Sequence, residues 1–230
     1  VQDFHDVVWY RKNCTLPDGM KGKRIILHFG AVDYYCKVWV NDVYISDHTG
    51  GHISFEYDIT DAVKDGENEI KLYVLDEYDD MEMPRGKQFW EEKSSGIFYT
   101  RTTGIWQSVW LEAVDETYIK NIWITPDIDT CAVNFRYETS DDTDCFMDIE
   151  VSYDGTAMAM QTTEITRKHG DITVHIDQQK LTKWAFYEEL IWTPENPRLF
   201  DVKFSLRKGN KVTDKVESYF GMRKASVEDG

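Results

Sequence analysis

Apolar residues recur at every second position in several short segments of the chain, including 69–74, 147–153 and 202–206. A period of two is typical of β-strands that bury one face. The segments 23–29 and 35–40 are rich in β-branched and aromatic residues, which also favours strands. The residues predicted to face a core are Ile70, Leu72, Val74, Met147, Ile149, Val151, Tyr153, Val202, Phe204 and Leu206.

The residues between the predicted strands indicate how the strands are connected. Asn41-Asp42 separates two apolar runs, and both residue types tolerate positive φ, so a two-residue hairpin turn is predicted. The segment Asp61–Lys64 follows the possible cap Thr60 and is predicted to form a helical turn. Short strands at roughly 8–12-residue spacing are typical of antiparallel sandwiches. The fold class is therefore predicted to be all-β.

A change of character near residues 115–120 divides the chain. An apolar strand gives way there to charged residues, and a new predicted strand, Tyr118–Thr125, follows directly. We therefore predict one sandwich domain over residues 1–117 and a second over 118–225.

Composition and charge narrow the classes of function. Hydrophobic residues make up 41% of the 230 residues, which is ample for two cores. The net charge of −16 opposes binding to nucleic-acid phosphates and to an anionic membrane surface. No apolar run approaches the roughly 18–20 residues that span a bilayer. We expect neither nucleic acid nor membrane as a partner, and no signal peptide within these residues.

Motifs that carry chemistry are scarce. Cys14, Cys36, Cys131 and Cys145 show no metal-ligand spacing, and we expect each to act as a small apolar residue within a strand. The sequence contains no G-x-S-x-G elbow, P-loop or dinucleotide fingerprint. Pairs of acidic residues are numerous among 42 acids and are interpreted as solvated charges. No cofactor is predicted.

The segment 47–52, "DHTGGH", places His48 and His52 four residues apart. Such a pair meets on one face only in a helix, and two intervening glycines make a helix costly by about 1 kcal/mol each. The zincin glutamate is also absent. We predict a Gly-Gly turn that leads into a strand at 53–57, and no metal site.

The segment Asp76–Thr103 is a long connection that is rich in aromatic and basic residues. Irregular loops of more than about 12–15 residues are often functional. Trp90 with Arg85 and Gln88 suits a sugar, which offers an apolar face and a hydroxyl edge. The alternative is that Phe89 and Trp90 only hold the loop against the sandwich.

Several ordered motifs resemble the non-catalytic N-terminal part of family 2 glycoside hydrolases, the group of β-galactosidases, β-glucuronidases and β-mannosidases. The similarity covers nearly the whole chain. The motifs include F-x-x-V-D, V-W-V-N-D, H-x-G-G-x-x-x-F, T-G-I-W and Y-F-G-M-R-K. They lie in the segments 8–12, 27–60, 65–76, 103–112, 191–204 and 219–224.

The resemblance implies a sugar-binding (galactose-binding-like) jelly roll over 1–117, an immunoglobulin-like sandwich over 118–225, and a linker from 226–230 to a (β/α)₈ barrel. It implies a carbohydrate substrate, and the chain's own barrel as a partner that supplies both glutamates of a retaining mechanism. We therefore expect no catalytic residue in this chain and no hydrolysis by it alone. We also expect residues ahead of the first strand.

One position departs from the family pattern. Galactosidases and glucuronidases carry a substrate-contacting Asp six residues before the glycine of the G-I motif, and Phe98 stands there. The departure weakens the expectation of galactoside or glucuronide specificity. The candidate substrate contacts are Asp76, Arg85, Gln88, Trp90 and Arg101.

Two alternatives stay open at this level: a carbohydrate-binding module that acts alone, and a structural or adhesive sandwich pair. The residue pattern does not specify an oligomeric state. For the compartment, export to the periplasm or the medium is favoured over the cytoplasm, because family 2 enzymes that act on foreign glycans are often exported.

Overall fold

The computed structural model describes residues 5–142, 144–177 and 190–227. The chain divides into two compact units, Val1–Val114 and Asp115–Gly230. The described residues of both units form antiparallel sheets of short strands, which confirms the predicted all-β class. No helix among the described residues is long and apolar enough to cross a membrane.

The first unit is a jelly-roll sandwich of two main sheets. One sheet has the strand order β1-β7-β4-β5, the other β6-β2-β9, and a short pair β3-β8 adjoins them. A 3-10 helix, η1, spans Asp18–Met20. The strands are β1 (Val7–Thr15), β2 (Arg24–Phe29), β3 (Val32–Asp33), β4 (Tyr35–Val40), β5 (Val43–Thr49), β6 (Phe55–Asp58), β7 (Glu67–Leu75), β8 (Gly104–Ile105) and β9 (Val109–Val114).

The core of this unit lies between the two main sheets. Alternate residues of β4 and of the second half of β7 are buried because the pleat turns every second side chain inward, whereas β2 buries the consecutive residues Ile25, Ile26 and Leu27. Leu72 and Val74 are buried as predicted, whereas Ile70 is only partly buried. The buried cluster consists of Leu16, Ile25, Leu27, Phe29, Val32, Cys36, Val38, Val40, Ile59, Leu72 and Val74.

The hairpin turn predicted at Asn41-Asp42 is confirmed. Asn41 has φ 50° and Asp42 has φ 64°, and the turn joins β4 to β5. The Asn41 amide also donates to the Ala62 carbonyl at 2.8 Å, and its oxygen accepts from the Glu69 N–H at 3.0 Å. Asn41, which tolerates the positive φ of the turn, therefore also holds the hairpin against β7.

The helical turn predicted over Asp61–Lys64 is a single hydrogen-bonded turn. The Val63 N–H donates to the Ile59 carbonyl at 3.1 Å. Thr60 does not cap it as predicted, because the Thr60 hydroxyl accepts from the Ile25 N–H at 2.9 Å. The Thr60 hydroxyl is therefore engaged by the backbone of β2 and does not cap the turn.

The second unit is an immunoglobulin-like sandwich of two sheets, β10-β11-β14 and β13-β12-β15-β16. The residues predicted to be buried at 147–151 and 202–206 face its core, and Tyr153 is partly buried. Phe135 meets both Phe204 and Phe220 edge to face at the centre. The strands are β10 (Ile119–Asp127), β11 (Ala132–Thr139), β12 (Cys145–Tyr153), β13 (Thr156–Ile165), β14 (His169–His175), β15 (Phe200–Lys208) and β16 (Lys211–Phe220).

The four cysteines all lie among the described residues, and none of them forms a disulfide. Cys14, Cys36 and Cys145 lie in strands as expected, and the latter two are buried. Cys131 does not lie in a strand. It has φ 52° and occupies the turn before β11, where its buried side chain still packs as a small apolar group.

Candidate functional site

The long connection between β7 and β8 is folded onto itself. The Phe89 N–H donates to the Tyr99 carbonyl, and the Tyr99 N–H donates to the Lys87 carbonyl, both at 2.8 Å. These bonds form an isolated bridge that brings the two halves of the loop together. The segment 76–103, which we call the long loop, therefore has a defined course although it contains no extended strand.

The buried carboxylate of Asp33, at the end of β3, anchors both halves of the long loop. Its Oδ2 accepts a hydrogen bond from Gln88 Nε2 at 2.9 Å and another from Thr102 Oγ1 at 3.2 Å. Gln88 Oε1 in turn accepts from the Thr102 N–H at 2.6 Å. A buried carboxylate requires such donors, so the loop base is held where Asp33 lies.

Gly51 of the "DHTGGH" turn lies against this carboxylate. A Cβ at Gly51 would stand 2.2 Å from Asp33 Oδ1, so a larger residue does not fit. The Gly51 carbonyl accepts from Trp106 Nε1 at 2.7 Å, in the T-G-I-W segment. The turn thus joins the loop base to the strand that follows the loop.

A second glycine fits against the first strand in the same way. Gly104 has φ +86°, and a Cβ there would lie 2.2 Å from the Tyr10 hydroxyl oxygen. That oxygen accepts from the Ile105 N–H at 3.3 Å. Motifs that are far apart in the sequence therefore meet around the ends of the long loop.

Asp76 and Arg101 form the charged part of the loop base, and both side chains are buried. Asp76 accepts a hydrogen bond from the Thr103 hydroxyl. Burial raises the pKa of Asp76; the Thr103 bond and nearby Arg101 oppose the rise, while Asp33 and Asp6 add to it. Arg101 donates to Asp6 Oδ1 at 3.1 Å and lies 5.5 Å from the centre of the Tyr78 ring.

Arg85 and Trp90 have different surroundings. The Arg85 guanidinium donates to the carbonyls of Tyr78 and Asp80, so it holds the first half of the loop together. Trp90 is 45% exposed, and its ring meets Phe98 edge to face with centroids 5.2 Å apart. Phe89 is buried beneath both rings and stacks on Phe98 at 5.3 Å.

Phe98, the position that departs from the family pattern, lies in aromatic surroundings. A carboxylate at this position would lie among Phe89 and Trp90, where its charge would be poorly solvated. The aromatic cluster of Phe89, Trp90 and Phe98 gives the loop an apolar wall instead. The Trp90 ring packs against the loop on one side and is exposed on the other. Its position is therefore compatible both with holding the loop in place and with contacting a sugar.

The structure brings four of the five predicted contacts together. Asp76, Arg85, Gln88 and Arg101 line one small cleft with Asp33, Glu77, Tyr78, Met83, Pro84 and Phe89. The space between them is about 10 Å³, enough for about one water molecule. These polar residues form a hydrogen-bonded base, while Trp90 lies outside the cleft on the accessible side of the loop.

Sequence reasoning missed Asp33, Thr102 and Tyr10 as members of this arrangement. Asp33 and Tyr10 stand in the V-D and W-Y motifs that carry the family resemblance, so their motifs were visible while their partners were not. The partner of Asp33, Gln88, is 55 positions away in the chain. Local patterns do not encode such pairings.

The two histidines of the turn point to different neighbours. His48 stacks on Phe55 at 4.0 Å, and its Nε2 lies 3.2 Å from the Gly50 carbonyl. His52 meets Trp106 edge to face at 5.5 Å. In the part of the chain that the structure describes, no group of three His, Cys, Asp or Glu side chains is placed to hold a metal ion.

Comparison with known proteins places these motifs in a family. The family description "Glycosyl hydrolases family 2, sugar binding domain" matches residues 1–112, and "Glycosyl hydrolases family 2" matches residues 117–223. A β-galactosidase of Thermoanaerobacter pseudethanolicus is 27% identical over 99% of this chain and 30% of its own length. A β-glucuronidase of Canis lupus familiaris is 31% identical over 56% of this chain and 22% of its own.

Solved structures agree on the fold. A β-glucuronidase of Bacteroides uniformis superposes with a TM-score of 0.75, at 23% identity, over 95% of this chain and 26% of that one. The chain spans less than a third of each of these relatives. The two matched domains together cover almost all of its residues, and the chain therefore belongs to glycosyl hydrolase family 2.

Proposed function

We propose that this chain is the accessory part of a retaining β-glycosidase, in which it supports a (β/α)₈ barrel and contributes the long loop to the wall of the substrate pocket. Residues 1–117 are the sugar-binding jelly roll, 118–225 the immunoglobulin-like domain, and 226–230 lead towards the barrel. The observation that carries the proposal is the loop, whose polar base is fixed on Asp33 while Trp90 stays exposed.

The division of labour follows from the chemistry. A retaining glycosidase needs two carboxyl groups about 5–5.5 Å apart, one as nucleophile and one as acid/base. The buried carboxylates at the loop base, Asp33 and Asp76, are occupied by donors from Gln88, Thr102 and Thr103. They position the loop, and the barrel supplies the reacting groups.

The loop contributes binding through an apolar surface. Trp90 and Phe98 offer a ring face to the C–H side of a sugar, and the nearby exposed Tyr99 adds a hydroxyl. Phe98 replaces the carboxylate that galactosidases and glucuronidases use here. We therefore propose a β-glycoside whose recognition at this wall depends on stacking and not on a bond to an acidic side chain.

The test of the accessory role compares two proteins. The 230-residue chain is purified and assayed with aryl β-glycosides, and so is the same chain joined to the barrel that we propose follows it. The longer protein should hydrolyse at least one substrate, and the chain alone none. Turnover by the chain alone, or a following sequence without two barrel glutamates, would overturn the proposal.

The loop wall is tested in the longer protein by Trp90→Ala. Removing the exposed ring should raise KM for the substrate roughly tenfold while kcat changes little, because the ring binds ground state and transition state alike. Trp123→Ala is the matched control, since Trp123 is an equally exposed tryptophan of the second unit. Equal kinetics for wild type and Trp90→Ala would remove Trp90 from the pocket.

A further inference from the structure

A second group of aromatic side chains lies on the outer face of the β1-β7-β4-β5 sheet. Trp9 stands directly opposite Tyr73, and Trp39 stands opposite Tyr44. The Trp9 and Trp39 rings meet across β7 with centroids 5.6 Å apart, Trp9 meets Tyr73 at 5.1 Å, and Trp39 meets Tyr44 at 5.7 Å. We call these four residues the aromatic stripe.

The stripe is continuous and open to solvent. It crosses all four strands of the sheet, a distance of roughly 14 Å at ordinary strand spacing. Trp9 is 60% exposed and Tyr44 50% exposed, whereas Trp39 and Tyr73 are half-buried between them. A sheet face that only meets water is ordinarily polar, so a contiguous exposed aromatic patch indicates a binding surface.

Charged groups border the stripe and compensate one another. Lys71 Nζ lies 2.6 Å from Asp42 Oδ1 and 2.8 Å from Glu69 Oε1, and Arg11 pairs with the same glutamate. Because Lys71 and Arg11 are paired with carboxylates, and Lys37 stands directly opposite Asp47 of β5, the border carries no strong field of one sign. It can still donate and accept hydrogen bonds at the edges of the rings.

This combination distinguishes between classes of ligand. The core of a protein–protein interface is depleted in charged residues, but here Lys71 stands within the stripe, directly opposite Trp39. A charged ligand would need a surplus of the opposite charge. A neutral sugar has an apolar face for the rings and hydroxyls for the paired charges, and both are present.

Stabilisation of the sheet explains only part of the arrangement. Cross-strand aromatic pairs contribute roughly 0.2–1 kcal/mol each, which accounts for the contacts among the rings. It does not account for Trp9, which leaves most of its surface in water at the edge strand β1.

We propose that the aromatic stripe is a non-catalytic binding site for a neutral oligosaccharide or polysaccharide chain, which lies across the four strands. The sugar rings contact Trp9 and Tyr44, and the hydroxyls bond to Lys71, Glu69 and Arg11. The site shares no residue with the long loop. It would hold polymeric substrate near the enzyme without taking part in hydrolysis.

The test measures binding by the 230-residue chain and needs no hydrolysis. Affinity gel electrophoresis is run with soluble galactomannan, xyloglucan, a mixed-linkage β-glucan and arabinogalactan, and with polygalacturonate as the charged comparison. At least one neutral polysaccharide should retard the chain. Trp9→Ala and Tyr44→Ala, at opposite ends of the stripe, should each weaken that binding roughly tenfold. Trp123→Ala, at a tryptophan that belongs to neither site, should leave it unchanged.

Several results would overturn the site. These are no retardation by any neutral polysaccharide, binding to polygalacturonate alone, or an equal loss with Trp123→Ala. Sedimentation is measured in parallel, because a dimer that Trp9→Ala dissociates would make the stripe an interface between copies. Circular dichroism of each variant separates lost binding from lost folding. Failure here would leave the accessory role intact, since that role is tested by hydrolysis.

Discussion

At the scale of single residues, a methyl group added to Gly51 would meet the carboxylate that anchors the long loop. The added Cβ would lie 2.2 Å from Asp33 Oδ1, which is far inside contact distance. Asp33 has little freedom to move because Gln88 and Thr102 hold it. We expect Gly51→Ala to lower the free energy of unfolding by about 1–3 kcal/mol, measured by urea denaturation.

The control for this substitution is Gly19→Ala. A Cβ at Gly19 meets nothing within 4 Å, so that variant should unfold like the wild type. The double variant Asp33→Ala/Gly51→Ala should cost less than the sum of the two single changes, because removing the carboxylate removes the clash. Strict additivity would mean that Gly51 acts through backbone freedom and not through Asp33.

Asp76 gives the second prediction at this scale. Burial raises its pKa above the unfolded value of about 3.9, so the folded state binds more protons than the unfolded state in the pH range between the two pKa values. The charged carboxylate therefore weakens folding above the raised pKa, and the penalty disappears as the pH falls towards 4. We expect Asp76→Asn to be more stable than wild type at pH 7, with the difference shrinking towards pH 4.

Asp148 of the second unit provides the opposite case. Its hydrogen bonds from the Arg207 guanidinium hold the pKa of that carboxyl below its usual range. The stabilisation that ionised Asp148 contributes is fully present at pH values above its pKa in the unfolded state. It is lost as the pH falls through its pKa in the folded state. Asp148→Asn should therefore be less stable than wild type at pH 7. If Asp76→Asn and Asp148→Asn changed the free energy of unfolding in the same direction at pH 7, the opposite roles of the two carboxylates would be wrong.

At the scale of elements, we expect the long loop to depend on Gln88 more than on its own backbone pairing. The Gln88 amide donates to Asp33 and accepts from the Thr102 N–H, so it connects β3 to both halves of the loop. Gln88→Ala should cost about 1–2 kcal/mol, because a buried carboxylate loses a donor. Hydrogen exchange in 77–100 should accelerate, while β4 and β7 stay protected.

Lys87→Ala is the matched control for the loop. Lys87 is the preceding residue, and its exposed side chain lies outside the cleft. Its backbone carbonyl, which pairs with Tyr99, is kept in the variant. Exchange in the loop should match the wild type. If both variants loosened the loop equally, the bridge between its halves would be the anchor and Asp33 would not.

The strands could be predicted from the sequence because their signal is local. Alternation at 69–74 and 202–206, and the Asn41-Asp42 pair, each lie within a few residues of the structure they specify. The two-residue strands β3 and β8 could not be predicted, because Val32 pairs with Ile105 although β4 to β7 and the long loop lie between them in the chain. Thr60 shows the same limit, since its hydroxyl bonds to β2 instead of capping a turn.

The candidate site also has features that local sequence predicts and features that it does not. The loop was predicted from its length and aromatic content, both of which can be counted along the chain. The burial of Arg101 and Asp76 was not, because it depends on which segments fold over them. Composition marks a segment as a candidate site, whereas the roles of its residues follow from contacts made elsewhere in the fold.

At the scale of the whole molecule, each unit has its own hydrophobic core, and each core contains a buried thiol. Cys36 belongs to the core of the first unit and Cys145 to the core of the second. Burial raises the pKa of Cys36 to about 12 and also raises the pKa of Cys145. At pH 8 both thiols are therefore protonated and covered, and neither reacts readily.

These thiols report the unfolding of each unit separately, which gives the last prediction. With a thiol reagent at pH 8, the half-buried Cys14 should react first in the native protein, while Cys36 and Cys145 react only as urea unfolds their cores. Gly51→Ala should move the urea midpoint for Cys36 further than that for Cys145, because Asp33 and Gly51 lie in the first unit. Mass spectrometry of the labelled peptides measures both midpoints in one sample. Equal shifts would show that the two cores unfold as a single cooperative unit.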